Sequence, residues 1–166
     1  DGKILIGGAF RNGHGTASLG MARLLPDGRL DSEFSSPIEP GLPGAPAPRI
    51  DAITPLAGGR LLLAGSFSTD ASGSPKSLAR LHEGGSEDPA FPGNLGDALG
   101  LPTWVGRQAD GKALIGLTKW DALGDRHDQV VQLDDQGDPG AVLLDWVNRP
   151  WLEVKLAAGL PDGKVL

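Results

Sequence analysis

The chain has 166 residues, a length that fits one domain and allows a buried core. Its 21 acidic and 15 basic residues give a formal net charge of −6, which argues against nonspecific binding to nucleic acid or an anionic membrane. The absence of cysteine excludes disulfides, thiolate metal sites and cysteine nucleophiles. No apolar stretch reaches the roughly 18 residues that a membrane span needs, so we expect no membrane insertion by this segment.

An internal repeat organises the chain, with a spacing of about 52 to 57 residues. The copies of its first motif are GKILIGGAF at 2–10, GRLLLAGSF at 59–67, GKALIGL at 111–117 and the beginning GKVL at 163–166. A second motif keeps the same offsets as MARL at 21–24, LARL at 78–81 and VVQL at 130–133. We therefore predict a single repeat domain over 1–166, consisting of repeats 1–57, 58–109 and 110–161 and the start of a fourth repeat at 162–166.

Each repeat predicts four short strands, named a to d in chain order, and no segment has the sustained 3.6-residue apolar period of a helix. Strand a is predicted at 49–57, 103–109 and 152–160, strand b at 60–67 and its equivalents, and strand c at 21–26, 78–83 and 129–134. A turn that contains Gly28, Gly85 or Gly137 leads from strand c to a short strand d.

The residues between and within these strands predict their local geometry. A type I′ turn between a and b is expected because its two residues suit positive φ angles, as in Gly58-Gly59, Asp110-Gly111 and Asp162-Gly163. A polar loop of about ten residues joins b to c and in the third repeat spans Lys119–Asp128. The apolar run Leu61–Leu63 predicts a strand covered on both faces, and glycine within strand b indicates a bulge or a close backbone approach.

Four antiparallel strands in a repeat of this length are typical of a β-propeller blade, so we predict an all-β fold of three such blades. The alternative is a β-solenoid, whose coils are usually shorter and contain fewer hairpins. Three blades cannot close a ring, and an open stack leaves unpaired edges. The chain is therefore expected to be a fragment of a larger propeller, which we favour, or to close a ring as a homo-oligomer.

The strings DGKILIGGAF and MARLLPDGRLDSEF resemble the bacterial delta-60 repeat family, whose pattern is P-DGK-ILVGG-F, a loop, and ARL-x-x-DG-x-LD-x-x-F. The second copy has Gly58 and Gly84 in place of the turn aspartates, and the third departs at Leu117, Lys119 and Gly140. The resemblance implies a propeller-like fold in large exported or surface proteins of bacteria, and hence an extracellular or cell-surface location. The family has no assigned activity, so it implies no catalytic residues.

Two Arg–Asp pairs recur at the same repeat positions, Arg23 with Asp31 and Arg80 with Asp88. In the third repeat both partners are lost together, as Gln132 and Gly140. Joint loss is expected of a structural ion pair, since one partner alone would be left uncompensated. The alternative is a ligand-binding arginine in each blade. The register allows the ion pairs if the c–d turn contains one extra bulge residue.

The four tryptophans, Trp104, Trp120, Trp146 and Trp151, do not recur at the repeat period. Exposed indoles stack on sugars and peptides, so Trp120 and Trp151, with Asp121 beside Trp120, are the candidate ligand-binding residues. The partner would be a protein or a glycan. The alternative is that the tryptophans fill gaps at degenerate positions, such as Lys119, where the repeat has phenylalanine.

Other motifs indicate no catalytic, metal or cofactor site. The histidines His14, His82 and His127 lack zinc-ligand spacing and are interpreted as solvated loop residues. The acids of 134–138 do not alternate as in a calcium loop, and Glu33 and Glu153 have no context that marks a glycosidase pair. No G-x-S-x-G elbow occurs.

The sequence therefore favours a noncatalytic propeller segment that acts as a scaffold or binds a protein or other ligand. Three alternatives stay open: a carbohydrate-binding module that uses exposed tryptophan, a glycoside hydrolase-like propeller enzyme, and a structural repeat of an extracellular assembly. A fold by itself does not select among these functions.

Overall fold

The computed structural model describes residues 2–8, 20–39, 48–70, 73–91, 93, 100–108, 110–134 and 136–148. These residues form nine β-strands and one short 3₁₀ turn at Ala57–Gly59. The strands are β1 (Ile4–Gly7), β2 (Met21–Leu24), β3 (Arg49–Pro55), β4 (Leu61–Phe67), β5 (Lys76–Leu81), β6 (Leu101–Arg107), β7 (Ala113–Trp120), β8 (Arg126–Leu133) and β9 (Pro139–Val147). None of the described segments is a helix of the length and hydropathy that crossing a membrane requires.

The strands form three antiparallel sheets, as the prediction of an all-β fold of propeller-like blades requires. The first sheet is β1-β2, the second β3-β4-β5 and the third β6-β7-β8-β9. In the third sheet, strand d is a full strand, β9. In the first and second sheets it is reduced to a single β-bridge, Leu24 to Leu30 and Leu81 to Glu87. The second and third sheets each take strand a from the end of the preceding repeat, so β3 pairs with β4 and β6 pairs with β7 across the repeat boundaries.

Three-residue turns replace the predicted type I′ turns. In the turn from Gln108 to Lys112, the Gln108 amide donates to the Lys112 carbonyl at 2.9 Å, and Gly111 has φ +93°. Of the predicted pair, Gly111 has positive φ and Asp110 does not, so Asp110-Gly111 forms a turn with a glycine bulge rather than type I′. Gly58 and Gly59 both have positive φ, but they lie in a three-residue loop between Leu56 and Arg60. Asp162-Gly163 lies outside the described residues.

The core lies between the faces of neighbouring sheets. Leu5 and Met21 of the first sheet pack against Ile50, Leu61 and Leu63 of the second. On the opposite face of the second sheet, a separate cluster joins it to the third sheet and includes Leu62, Leu78, Val105, Ile115 and Val131. The side chains of Leu61, Leu62 and Leu63 are 5, 0 and 0% exposed, which confirms that this strand is covered on both faces.

Glycines of strand b lie opposite bulges in strand a. The pairing of β3 with β4 shifts between Ile50 and Ala52, opposite Gly65, and the pairing of β6 with β7 shifts between Pro102 and Trp104, opposite Gly116. A methyl group on Gly65 would overlap the Arg49 carbonyl oxygen, and one on Gly116 would overlap the Trp104 indole. The prediction that strand glycines mark bulges or close approaches is confirmed at both positions.

The predicted loop Lys119–Asp128 is wrong. β7 continues to Trp120 and β8 begins at Arg126, so the connection is a tight turn over residues 121–125. The polar residues at this end form regular cross-strand pairs, with Lys119 opposite His127 and Trp120 opposite Arg126. A polar strand end beyond the core has the composition of a loop, which explains why sequence reasoning missed it.

Candidate binding surface

Two buried Arg–Asp ion pairs join strand c to the residue that follows the c–d turn. Arg23 Nε donates to Asp31 Oδ2 at 2.8 Å, and Arg80 Nε donates to Asp88 Oδ2 at 2.8 Å. In the first pair, the three-residue turn closes with the Leu25 amide donating to the Arg29 carbonyl, which places Arg23 opposite Asp31. Gly28, with φ +85°, is the extra bulge residue that the predicted register needs.

Neighbouring charges and amides hold both aspartates ionised. The Lys3 ammonium is the largest influence on Asp31, and with the Glu33 amide and Arg23 it keeps the pKa of that carboxyl below its usual range despite burial. Burial raises the pKa of Asp88, but hydrogen bonds from the Ala90 amide and Arg80 outweigh it, so the net shift is downward. Both carboxylates thus have protein partners, which favours a structural role over ligand binding.

A phenylalanine beside each ion pair contacts the next sheet. We call the three residues together an interblade clamp: Arg23, Asp31 and Phe34 in the first sheet, and Arg80, Asp88 and Phe91 in the second. The guanidinium carbon lies over the ring at 4.8 Å in the first clamp and 4.9 Å in the second.

The first clamp shows how one sheet binds the turn of the next. Arg23 Nη1 donates to the Glu83 carbonyl at 2.6 Å, and the Ser35 amide donates to the Gly84 carbonyl at 3.0 Å. The Phe34 ring lies so close to Gly85 that a methyl group there would be 3.0 Å from it.

At the end of the third sheet that lies away from its c–d turn, Asp121 fixes the β7–β8 turn. Its Oδ1 accepts hydrogen bonds from the Leu123 amide at 2.8 Å and the Asp125 amide at 2.9 Å. Both amides lower the pKa of Asp121, and the amide of Asp125 has the larger effect. Asp134 makes the same two bonds at the c–d turn, to the amides of Gln136 and Asp138. Turn geometry is therefore one sufficient reason for an aspartate at position 121.

His127 connects this turn to β9. Its Nδ1 is 3.1 Å from Asp145 Oδ1, its Nε2 is 3.5 Å from Asp121 Oδ2, and Gln129 Nε2 donates to Asp145 Oδ2 at 2.8 Å. The hydrogen bond to Asp145 is the main cause that raises the pKa of His127 above its ordinary value. The interpretation of His127 as a solvated loop residue is wrong, since it lies in β8 with a side chain 17% exposed.

Trp120 ends β7 with 59% of its surface exposed, and Leu123 at the turn is 88% exposed. Opposite Trp120, Arg126 Nη2 donates to Asp128 Oδ1 at 2.9 Å, and the Thr118 hydroxyl donates to the same oxygen at 2.6 Å. These bonds hold the strand ends that carry the indole. We call this exposed region the tip surface, defined by Trp120, Asp121, Leu123, Arg126 and His127.

The other tryptophans have different surroundings. Trp104 is 2% exposed and packs with Leu114 and Val130, while Trp146 is partly buried in the same cluster. Trp104 therefore fills core space, as the gap-filling alternative proposes. Trp151 lies outside the described residues, so Trp120 and Asp121 are the candidate ligand-binding residues that the structure brings together.

No three His, Asp or Glu side chains among the described residues are placed to hold a metal ion. A crevice between the second and third sheets, next to Arg80 and Phe91, has a volume of about 40 Å³. Small-molecule sites usually measure about 300 Å³ or more.

The sheets and their clamped interfaces define an all-β protein of propeller-like blades. Residues 1–34 and 59–91 match a domain of unknown function (DUF5122) described as a beta-propeller. The two matched segments contain the first and second clamps, and the match supports a propeller-type repeat. No curated protein and no solved structure matched the chain.

Proposed function

We propose that this chain is a noncatalytic propeller segment that binds a partner through the tip surface of its third sheet. The observation that carries the proposal is the exposure of Trp120, 59%, on a strand end held by hydrogen bonds on both sides. Because the strand ends that carry the indole are held, little backbone freedom remains to be lost when a partner binds to it.

The interblade clamps support the scaffold part of the proposal. In the clamps, the recurring charged groups bind other groups of the protein and join the sheets to one another. The loops on such a rigid scaffold are free to vary in sequence and to bind a partner. The resemblance to delta-60 repeats adds the proposal that the parent protein is exported or lies on the surface of a bacterium. The acidic balance of the chain agrees with a partner that is a protein or a glycan rather than nucleic acid.

A carbohydrate partner is the second candidate, favoured by Trp120 and the polar side chain of Arg126 opposite it. An aromatic face with hydrogen-bonding neighbours suits a sugar ring, which has both apolar and hydroxyl faces.

Titration of the chain with soluble glucan, mannan and chitin oligosaccharides, followed by calorimetry, tests the carbohydrate candidate and the noncatalytic assignment. Binding that Trp120→Ala abolishes and Leu30→Ala retains, with unchanged melting temperatures, is the result expected of a carbohydrate-binding tip, since Leu30 is an exposed apolar residue of the first sheet outside the tip surface. Binding that Trp120→Ala leaves intact would remove the tip surface from the proposal. Release of new reducing ends from any of these sugars would overturn the noncatalytic assignment.

A further inference from the structure

The outward face of the first sheet is uncovered, unlike the same face of the other two sheets. Ile4 and Ile6 are 51% and 37% exposed, and Leu30 beyond the turn is 62% exposed. The equivalent residues of the second sheet, Leu61 and Leu63, are 5% and 0% exposed because the first sheet covers them. Ile115, equivalent to Ile6, is likewise 0% exposed under the second sheet.

The turn that a clamp binds is also uncovered in the first sheet. Gly85 lies against the Phe34 ring, and Gly137 lies so close to the Phe91 ring that a methyl group there would overlap it. Gly28 has the same repeat position and a similar φ of +85°, yet a methyl group on it would meet nothing within 4 Å. The first sheet thus has the apolar face and the turn that, in the second and third sheets, contact the preceding sheet and its clamp.

We infer that this face binds a further sheet of the same repeat type, one with an arginine, an aspartate eight residues later and a phenylalanine three residues after that. Its phenylalanine would lie over Gly28, and its arginine would donate to the carbonyl of Pro26, the equivalent of Glu83. The inference rests on continuity with two interfaces of the same construction. It does not depend on the function of the tip surface.

The third sheet of a second copy does not fit this surface. It has Gln132, Gly140 and Leu143 where the other sheets have the arginine, aspartate and phenylalanine. Gln132 Nε2 instead donates to Gln108 within its own sheet. Trp104 packs on the face of this sheet that would meet the next one, over Leu114 and Val130. The occupant is therefore a clamp-bearing sheet other than the third.

An extended chain tests the inference by supplying such a sheet in the correct phase. Residues 49–109 are duplicated directly before residue 1, because Asp110 and Asp1 share a repeat position. The added copy contains a second-sheet equivalent with its clamp and a strand a for the first sheet. The matched control carries Arg80→Gln and Asp88→Gly in the added copy, the residues of the third repeat.

Amide hydrogen exchange of β1 is the first measurement, with β7 as an internal reference. We expect exchange in β1 to slow at least tenfold in the extended chain, and to slow less in the control. In the second measurement, Ile6→Thr should barely change the urea midpoint of the original chain and should clearly lower that of the extended chain. Equal β1 exchange in extended and original chains, an equal effect of Ile6→Thr in both, or an extended chain less stable than the original would overturn the inference.

Discussion

The Nη1 atom of Arg23 lies 2.6 Å from the carbonyl oxygen of Glu83, in the turn of the neighbouring sheet. The same guanidinium donates through Nε to Asp31 in its own sheet. One arginine therefore closes its own c–d hairpin and joins two sheets. Asp31 keeps the guanidinium of Arg23 in position for both bonds. This double use explains why the third repeat lacks the aspartate as well as the arginine, since either alone would be a buried charge without its partner.

The second clamp should behave as a coupled unit. Arg80→Gln and Asp88→Asn should each destabilise the protein, because each removes the buried bond between the two opposite charges. The double variant should lose less than the sum of the two, with a coupling free energy of about 1–3 kcal/mol. Urea unfolding of the four proteins measures this cycle. Additive losses would show that the pair contributes no mutual stabilisation.

Two glycines with the same conformation should differ in their tolerance of alanine. Gly28→Ala and Gly137→Ala both place a side chain at positive φ, which costs about 1–2 kcal/mol. Gly137→Ala must also displace the Phe91 ring, which should add about 1–3 kcal/mol of overpacking. The difference in free energy of unfolding between the two variants isolates the phenylalanine contact, and equal losses would contradict it.

The sequence was sufficient for most of the strands and for the Arg–Asp pairs, because both recur at the repeat period and the joint loss of Arg and Asp marks them as partners. It was insufficient for the neighbours of His127. Asp145 reaches that ring through the pairing of β8 with β9, and the register between these strands shifts at bulges near Val131. Arg23 and Glu83 belong to different sheets, and no local pattern predicts the contact between them.

The turn at residues 121–125 should loosen as the pH rises. The pKa of His127 is raised by Asp145 and Asp121, so the stabilisation is complete below the unfolded value of about 6.5 and is lost as the pH passes through the higher folded value. NMR titration of the His127 ring gives the folded pKa. Amide exchange at Leu123 and Asp125, measured at pH 6 and pH 8.5 and corrected for intrinsic rates, should show protection falling with pH.

The variant His127→Gln is the control for this pH dependence. It should remove the difference in protection between the two pH values while leaving exchange in β6 unchanged. A His127 pKa at or below 6.5, or the same pH dependence in the variant, would refute the role assigned to the imidazole.

Substitutions at Gly116 and Trp104 should compensate for each other, because a methyl group on Gly116 would enter the space that the Trp104 indole fills. Gly116→Ala should destabilise the third sheet, since the new methyl group would overlap the indole ring. Trp104→Ala alone should cost about 3–5 kcal/mol through the loss of a buried aromatic side chain. Once the indole is gone the methyl group has room, so Gly116→Ala should cost little in the Trp104→Ala background. Urea unfolding of the two single variants and the double variant measures this, and a cost of Gly116→Ala that is the same with and without the indole would show that strand geometry, not Trp104, requires the glycine.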